Sequence, residues 1–335
     1  MFSISKLLIQ ISLYFLRFLP PEVSSLISLK TIKYLKFFGV KLNKIRKESL
    51  QQKTNYNGLT FNHIIGLSAG IDKEGKYFHS LGSLGFSFVE VGTFTPKPQK
   101  GNNYPRIKRL ENNSLINRLG FNNPGILNGI KNISRYKNNF SGVLGISIGK
   151  NKDTTLDDAY KDYIYCIDHC FNFADYIAVN ISSPNTKDLR KLSSSDYIED
   201  LTKEINIKKR HLEELHGKKV PLLLKISPDE TEKNLEKILS TSLSNGFAGF
   251  IVSNTMQGNF KGISGGVSGE LLKERSSYTL KKVSEYLDKE TLIIASGGIS
   301  TKSDVEERLD NGAKLIQVYT SFIYQGPSII NDLLN

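Results

Sequence analysis

Eight apolar runs of strand length, each parted from the next by a stretch long enough to cross over a sheet, constrain this chain more than anything else in it. They are residues 64–68, 88–93, 144–148, 176–180, 222–226, 250–253, 292–296 and 315–319. Segments 156–171, 198–215, 230–244 and 271–287 have the length and pattern of crossover helices. A strand that is apolar on both faces is covered on both faces, and alternation with helices makes the sheet parallel. Eight such units spread over about 280 residues predict a (β/α)8 barrel, with a doubly wound open sheet as the alternative. One connection, 95–121, is longer than the others. Its Pro96, Pro98, Gly101, Pro105 and Gly120 make it an excursion over the barrel mouth and not a helix.

Barrels of this kind build their sites at the C-terminal ends of the strands. Polar residues and glycines should therefore follow each apolar run, and they do: Ala69-Gly70-Ile71-Asp72-Lys73, Thr93, Ser147-Ile148-Gly149-Lys150, Asn180–Asn185, Lys225, Ser253-Asn254-Thr255, Ser296-Gly297-Gly298 and Tyr319-Thr320. The segment Asn180-Ile181-Ser182-Ser183-Pro184-Asn185-Thr186 presents two amides and three hydroxyls straight after a strand. Alone it reads as a turn. At a barrel strand end it suits a flat, polar small molecule, with a hydroxyl as base if the site assists loss of its proton. With Asn117 and Asn254, Asn180 and Asn185 make four amides, which together with Lys73 could recognise a ring with amide edges and one carboxylate, such as a pyrimidine carboxylate. The other reading of Lys73 is an exposed lysine at a helix start.

The ends of the seventh and eighth strands are the usual phosphate position of such barrels. Gly297-Gly298 lets backbone N–H groups approach an anion, and Thr320 and Gly269 could complete the cradle. Lys225 ends an apolar strand, where a buried ammonium needs a partner, and no acid stands at the matching position of a neighbouring strand. A cofactor that turns anionic on reduction would supply the charge, and flavin mononucleotide (FMN) fits both the phosphate cradle and the lysine. The competing reading is a lysine snorkelling from the strand end. Cys166 and Cys170, four apart beside His169, have no zinc spacing and form no disulfide framework. A reducing compartment and no metal are expected.

The formal charge is +12, and residues 1–54 carry +8 of it: ten bases against Glu22 and Glu48. The rest is nearly balanced, so the basicity belongs to an appendage and argues against nucleic acid as a partner. Ile4, Leu7, Leu8, Ile11, Phe15 and Phe18 recur at helical spacing, Pro20-Pro21 breaks the chain, and a second apolar-basic stretch, 23–38, ends at Gly39. Residues 1–40 thus read as a helical hairpin, followed by a barrel over 41–335. Lys6, Gln10 and Arg17 interrupt the first helix, leaving no clean span of about 18 residues. With no small-x-small cleavage site, it does not read as a signal peptide. Docking into one leaflet of an anionic membrane is the favoured reading, against a helix pair packed only on its own domain. The pair could frame a tunnel for a lipid-soluble molecule. A leader without Arg/Ser-rich character points to the cytoplasmic face of a bacterial inner membrane, not to a mitochondrion.

In order along the chain, Ala69–Lys73, Glu90-Val-Gly-Thr93 with Thr95-Pro-Lys-Pro-Gln99, Ile116-Asn-Arg-Leu-Gly-Phe-Asn122, Gly149-Lys-Asn-Lys152, Asn180–Thr186, Lys225, Ser253-Asn-Thr255, Ser268-Gly269, Gly297-Gly298 and Tyr319-Thr320 resemble the dihydroorotate dehydrogenases of the membrane-associated, quinone-using class. The resemblance spans about residues 55–330 and includes an N-terminal helical extension of the kind that marks the class. It implies one FMN per chain, oxidation of dihydroorotate to orotate in pyrimidine synthesis, a membrane quinone as final acceptor, and a peripheral membrane protein, with a monomer favoured. It implies that Ser183 removes the C5 proton while the C6 hydrogen leaves as hydride to flavin N5, with a relay or the Thr186 hydroxyl assisting a weak base. Substrate contacts would come from Lys73, Asn117, Arg118, Leu119, Gly120, Phe121, Asn180, Asn185, Asn254 and Thr255. FMN contacts would come from Ala69, Gly70, Ile71, Asp72, Lys73, Thr93, Ser147, Asn180, Lys225, Ser253, Gly269, Gly298, Tyr319 and Thr320. Serine at 183, where the soluble class has cysteine, argues for the quinone class. Departures from the family pattern are Ser147 for a flavin-contacting asparagine, Ser253 for threonine, Ser68 for alanine, and Glu270-Leu271 where a proline is common nearby. The rival readings are another FMN barrel oxidoreductase (a soluble fumarate- or NAD-linked relative, or a tRNA uridine reductase) and a catalytically dead, ligand-binding barrel.

Overall fold

The computed structural model describes residues 2–40, 53–186, 188–260 and 262–335. Lys41, Lys44, Arg46 and Lys47, with the expected start of the barrel domain at 41, lie outside the described residues, as do the side chains of Ile4, Lys6, Leu7 and Leu8.

Two helices open the chain, α1 (Phe2–Leu16) and α2 (Pro21–Phe37), and Pro21 stands at the start of α2, where its missing N–H costs nothing. A short hairpin follows, β1 (Thr54–Tyr56) and β2 (Leu59–Phe61). Next come β3 (Ile65–Leu67), α3 (Phe78–Gly82), β4 (Phe88–Phe94), β5 (Ile107–Leu110), β6 (Ser114–Asn117), α4 (Ile126–Ser134), β7 (Val143–Ile148) and α5 (Ala159–Cys170). The second half holds β8 (Tyr176–Asn180), α6 (Ser195–His216), β9 (Leu222–Ile226), α7 (Glu232–Ser244), β10 (Gly249–Val252), β11 (Met256–Phe260) and β12 (Ile263–Ser268). It closes with α8 (Lys273–Tyr286), β13 (Leu292–Ser296), α9 (Lys302–Asp310), β14 (Leu315–Val318), α10 (Thr320–Gln325) and α11 (Ile329–Leu334).

Eight parallel strands close into a barrel in the order β10-β13-β14-β3-β4-β7-β8-β9. Each of the eight expected runs is one of these strands, shifted by at most a residue or two at its ends. Their residues are buried on both faces, because one side packs on the helices and the other fills the interior. Phe61 of the hairpin packs edge-on against Phe88, with ring centroids 5.4 Å apart, and joins Val143, Leu223, Leu292 and Leu315 in a plug at the N-terminal end. Local signals fix the helix boundaries. The Thr301 hydroxyl accepts from the Asp304 N–H in a capping box at the start of α9, and Gly217 ends α6 in the left-handed region (φ 62°).

The excursion over 95–121 differs from expectation in one respect. It contains the antiparallel pair β5 and β6, and β12 adds to β6, giving a four-stranded sheet β11-β12-β6-β5. The prolines and glycines obscured these short strands, whose pairing partner lies some 150 residues on.

The opening helices are tied to the barrel by polar contacts. Arg106 grips the Glu22 carboxylate through Nε (3.1 and 3.2 Å) and Nη2. Arg109 donates to the carbonyls of Leu19 (2.8 Å) and Leu16 (3.2 Å), where α1 gives way to α2 and carbonyls lack helical partners. Arg17 donates to the Tyr324 carbonyl at 3.2 Å and lies over its ring. The pair also leaves large apolar side chains open: Phe15 is 64% exposed, Phe18 71%, Phe37 82% and Phe38 69%. Among the described residues, no helix is long and apolar enough to cross a membrane.

Candidate active site

A cavity of about 450 Å³ opens at the C-terminal ends of the barrel strands, within the size range of small-molecule sites. Every strand end feeds it except that of β7. The predicted residues Ala69, Gly70, Lys73, Thr93, Asn117, Leu119, Gly120, Phe121, Asn180, Ser183, Asn185, Lys225, Ser253, Asn254, Thr255, Gly269, Gly298, Tyr319 and Thr320 all line it. Ile71, Asp72, Arg118 and Ser147 do not.

Physical reasons account for two of these absences. The Asp72 carboxylate accepts four backbone N–H groups, from Glu74, Lys76, Tyr77 and Phe78, at 2.7–3.3 Å. It therefore shapes the turn that carries Lys73 rather than touching the cavity. Ser147 is fully buried behind Thr93, to whose hydroxyl its own is bonded at 2.9 Å. Thr93 in turn accepts from the Asn180 amide at 3.1 Å. The residue that departs from the family pattern thus reaches the cavity through a threonine.

The amides form one network. Asn185 donates to the Asn117 side chain at 2.9 Å, linking the loop after β8 to the end of β6. Asn254 donates to the Ser182 hydroxyl at 3.0 Å, and its own oxygen accepts the Thr255 N–H at 2.8 Å. Arg190 spans the same loop, donating to the carbonyls of Ser182 and Thr255 (both 3.1 Å) and to Asp229 (2.7 Å). Side-chain amides with fixed orientations give a ligand a fixed donor and acceptor pattern.

Ser183 is buried, and its hydroxyl oxygen accepts the Asn185 N–H at 3.3 Å. Thr186 Oγ1 is buried and has no hydrogen-bond partner among the described residues. Lys73 precedes no helix directly, since α3 begins five residues later. It is half-buried, donates to the Gly70 carbonyl at 2.5 Å, and burial lowers its pKa to about 8 against the pull of Glu22.

Gly297 (φ 109°) and Gly298 (φ 68°) both adopt backbone conformations that favour glycine. A Cβ on Gly298 would fall 2.3 Å from Lys273 Cα, so the turn lies flush against the start of α8. Buried Arg308 braces this turn from behind, donating to the Lys273 carbonyl (3.0 Å) and to Ser276, which bonds the Gly297 carbonyl at 2.8 Å. The Gly298 N–H has no acceptor among the described residues. On the other side, Thr320 donates to the Ser268 hydroxyl at 2.8 Å.

The reading of Lys225 needs a correction. It is buried and it does have an acid partner: Glu90 Oε1 lies 3.9 Å from its Nζ. The acid comes from β4, across the barrel from β9, not from a neighbouring strand. A carboxylate inside the apolar run Phe88-Val89-Glu90-Val91 was a signal of the same kind as Lys225 itself. Burial lowers the pKa of Lys225, opposed by Glu90.

The tunnel was expected to be framed by the two opening helices; a second cavity, of about 340 Å³, lies instead between α1 and the C-terminal segment, with no α2 residue among the described residues that line it. Gln10, Leu13, Tyr14 and Arg17 line one side of it and Ser328 and Asp332 the other. Tyr324 and Gln325 line both cavities and stand between them.

Fold and site define a (β/α)8-barrel enzyme with its chemistry at the strand ends. The model of the dihydroorotate dehydrogenase family matches residues 51–335. The chain is 41% identical over 310 residues to a dihydroorotate dehydrogenase (quinone) of Vibrio atlanticus, covering 90% of this chain and 92% of that protein. It is 43% identical to one of Yersinia enterocolitica, covering 83% and 84% of the two chains. The crystal structure of dihydroorotate dehydrogenase from Eimeria tenella in complex with ferulenol superposes with a TM-score of 0.85 at 33% identity, covering 92% of this chain and 89% of that one. The chain belongs to the dihydroorotate dehydrogenase family, whose members are flavin-dependent.

Proposed function

We propose that this chain oxidises dihydroorotate to orotate in pyrimidine biosynthesis, with FMN as the group that accepts hydride and a membrane quinone as the final electron acceptor. The observation that carries the reading is a single cavity that gathers Ser183, four amides, Lys73, Lys225 and the Gly297-Gly298 turn. FMN, when bound, supplies a two-electron acceptor that can pass electrons onward. The Gly298 N–H and the Thr320 N–H at the start of α10 would hold its phosphate, and Lys225 the edge that gains negative charge. Thr93, Ser253, Gly269 and Tyr319 would line its path, with Ser147 acting through Thr93.

In this reading Asn117, Asn180, Asn185 and Asn254 fix the substrate ring through its amide edges, and Lys73 meets its carboxylate. Ser183 takes the C5 proton. A serine hydroxyl is a poor base unless its own proton moves on, and the buried Thr186 hydroxyl, which has no partner among the described residues, would take part in that relay.

The open apolar side chains of α1 and α2 would lie in one membrane leaflet, with residues 1–40 as the membrane-associating unit and 41–335 as the barrel. Quinone would enter by the cavity under α1 and meet the main site at Tyr324 and Gln325. An anionic membrane surface suits the basic flank, and the cytoplasmic face of a bacterial inner membrane suits the whole. Releasing the chromophore by denaturation and identifying it tests the cofactor: FMN supports the reading, and FAD or no flavin contradicts it.

A further inference from the structure

Beneath the cavity floor lies a polar layer inside the barrel. Glu90 is completely buried. Its Oε2 accepts the Tyr176 hydroxyl and the Gln317 amide, each at 2.9 Å. Its Oε1 has no hydrogen-bond partner among the described residues and faces Lys225 Nζ at 3.9 Å. The layer is built from four strands, and the backbone makes room for it. Glu90, Gly145 and Tyr176 stand in register on β4, β7 and β8, and a Cβ on Gly145 would fall 2.1 Å from Tyr176 Cζ. Glycine there lets the Tyr176 ring reach across to the carboxylate.

We propose that Glu90 is a positioning residue for the reaction: clamped by Tyr176 and Gln317, it is a fixed anion that keeps Lys225 charged at the cavity floor. The inference rests on the flavin-dependent reading above.

Three features support it. The two donors hold one oxygen of the Glu90 carboxylate and leave the other turned towards Lys225. Tyr176 is a firm donor, since burial and Glu90 push its hydroxyl well above the usual range. And 3.9 Å is too long for a hydrogen bond, so Glu90 supplies charge without consuming the ammonium. Lys225 donates to the Ser68 hydroxyl at 3.2 Å and has three N–H groups, leaving donors for a ligand. A purely structural pair would close to contact, and an apolar layer would stabilise the barrel as well or better. Among the described residues, the groups that meet Lys225 are Glu90 from β4 and Ser68 after β3, with Tyr176 and Gln317 holding the far oxygen of Glu90; Lys73 lines the same cavity. Of these, Glu90 is the charge that acts on it.

The test compares the pH dependence of the flavin midpoint potential in wild-type holoenzyme, Glu90→Gln, Tyr176→Phe and Lys225→Met. Burial already lowers the Lys225 pKa and Glu90 opposes that, so Glu90→Gln should lower it further and add an inflection to the profile as Lys225 loses its proton. Tyr176→Phe, which removes one bond to the carboxylate, should shift the profile the same way by less, and is read alone if Glu90→Gln does not fold. Adding Lys225→Met to Glu90→Gln should abolish the new inflection. A merely structural role would lower Tm and leave the profiles parallel, and parallel profiles in whichever variants fold overturn the inference alone. A wild-type chain that binds no flavin overturns the flavin reading, and this inference with it.

Discussion

Gly298→Ala is the sharpest probe of the phosphate cradle. The added methyl carbon would sit 2.3 Å from Lys273 Cα, where ordinary contact begins at 3.4 Å. The obstacle is backbone, so the turn or the start of α8 must give way by about 1 Å. A φ of 68° adds about 1–2 kcal/mol of strain for any residue with a side chain. At about 1–2 °C per kcal/mol for a chain of this length, the strain alone should lower Tm by a few degrees while the fold survives. A misplacement of about 1 Å in a binding group costs on the order of a hundredfold. That loss should fall on the phosphate alone, because the remaining flavin contacts come from other strand ends. Apoprotein titrated with FMN and with riboflavin separates the effects: FMN affinity should drop about a hundredfold, and riboflavin affinity by less than about threefold. Equal losses for the two ligands, or none for FMN, would refute the placement of the phosphate at this turn.

Ser183→Ala should keep FMN and orotate binding and lose about 10²–10⁴ in the rate of flavin reduction, which stopped-flow absorbance reads directly. Full activity would remove this serine from the base role. Exchanging exposed Phe18 and Phe37 for Glu should abolish binding to anionic vesicles and depress quinone-linked turnover, while flavin reduction by dihydroorotate stays unchanged. Unchanged turnover on vesicles would contradict membrane docking through this face. Lys73 carries its charge below about pH 8 and loses it above. If it meets the substrate carboxylate, kcat/KM for dihydroorotate should be flat below that value and fall as pH rises through it, and Lys73→Met should remove the inflection.

The barrel was legible because its signal is long and repeated: apolar runs of strand length must be covered on both faces, and each of the eight is a barrel strand. The site was legible because the fold dictates where the strand ends converge, so even a lone Lys225 or Gly297-Gly298 gained meaning from position. What stayed hidden depends on long-range pairing. The strands β5 and β6 are short, β5 carries Lys108 and Arg109, and β12, far along the chain, completes their sheet. Asp72 was expected at the flavin from the family resemblance of Ala69–Lys73, and only the folded turn shows that its oxygens accept four backbone N–H groups. Glu90 was passed over because its partner lies across a closed barrel, a relation that comparison of adjacent strands does not test. The cavity that shares Tyr324 and Gln325 with the main site depends on how α1 docks, which amphipathic spacing alone does not specify.

The central claim is that one site passes electrons from dihydroorotate through flavin to a quinone. Anaerobic addition of dihydroorotate to the purified protein, followed by a soluble quinone, tests it while the flavin band near about 450 nm is recorded. The account predicts bleaching on the first addition and recovery on the second. A flavin band that dihydroorotate leaves unchanged would contradict the substrate, and a bleached band that quinone leaves bleached would contradict the acceptor.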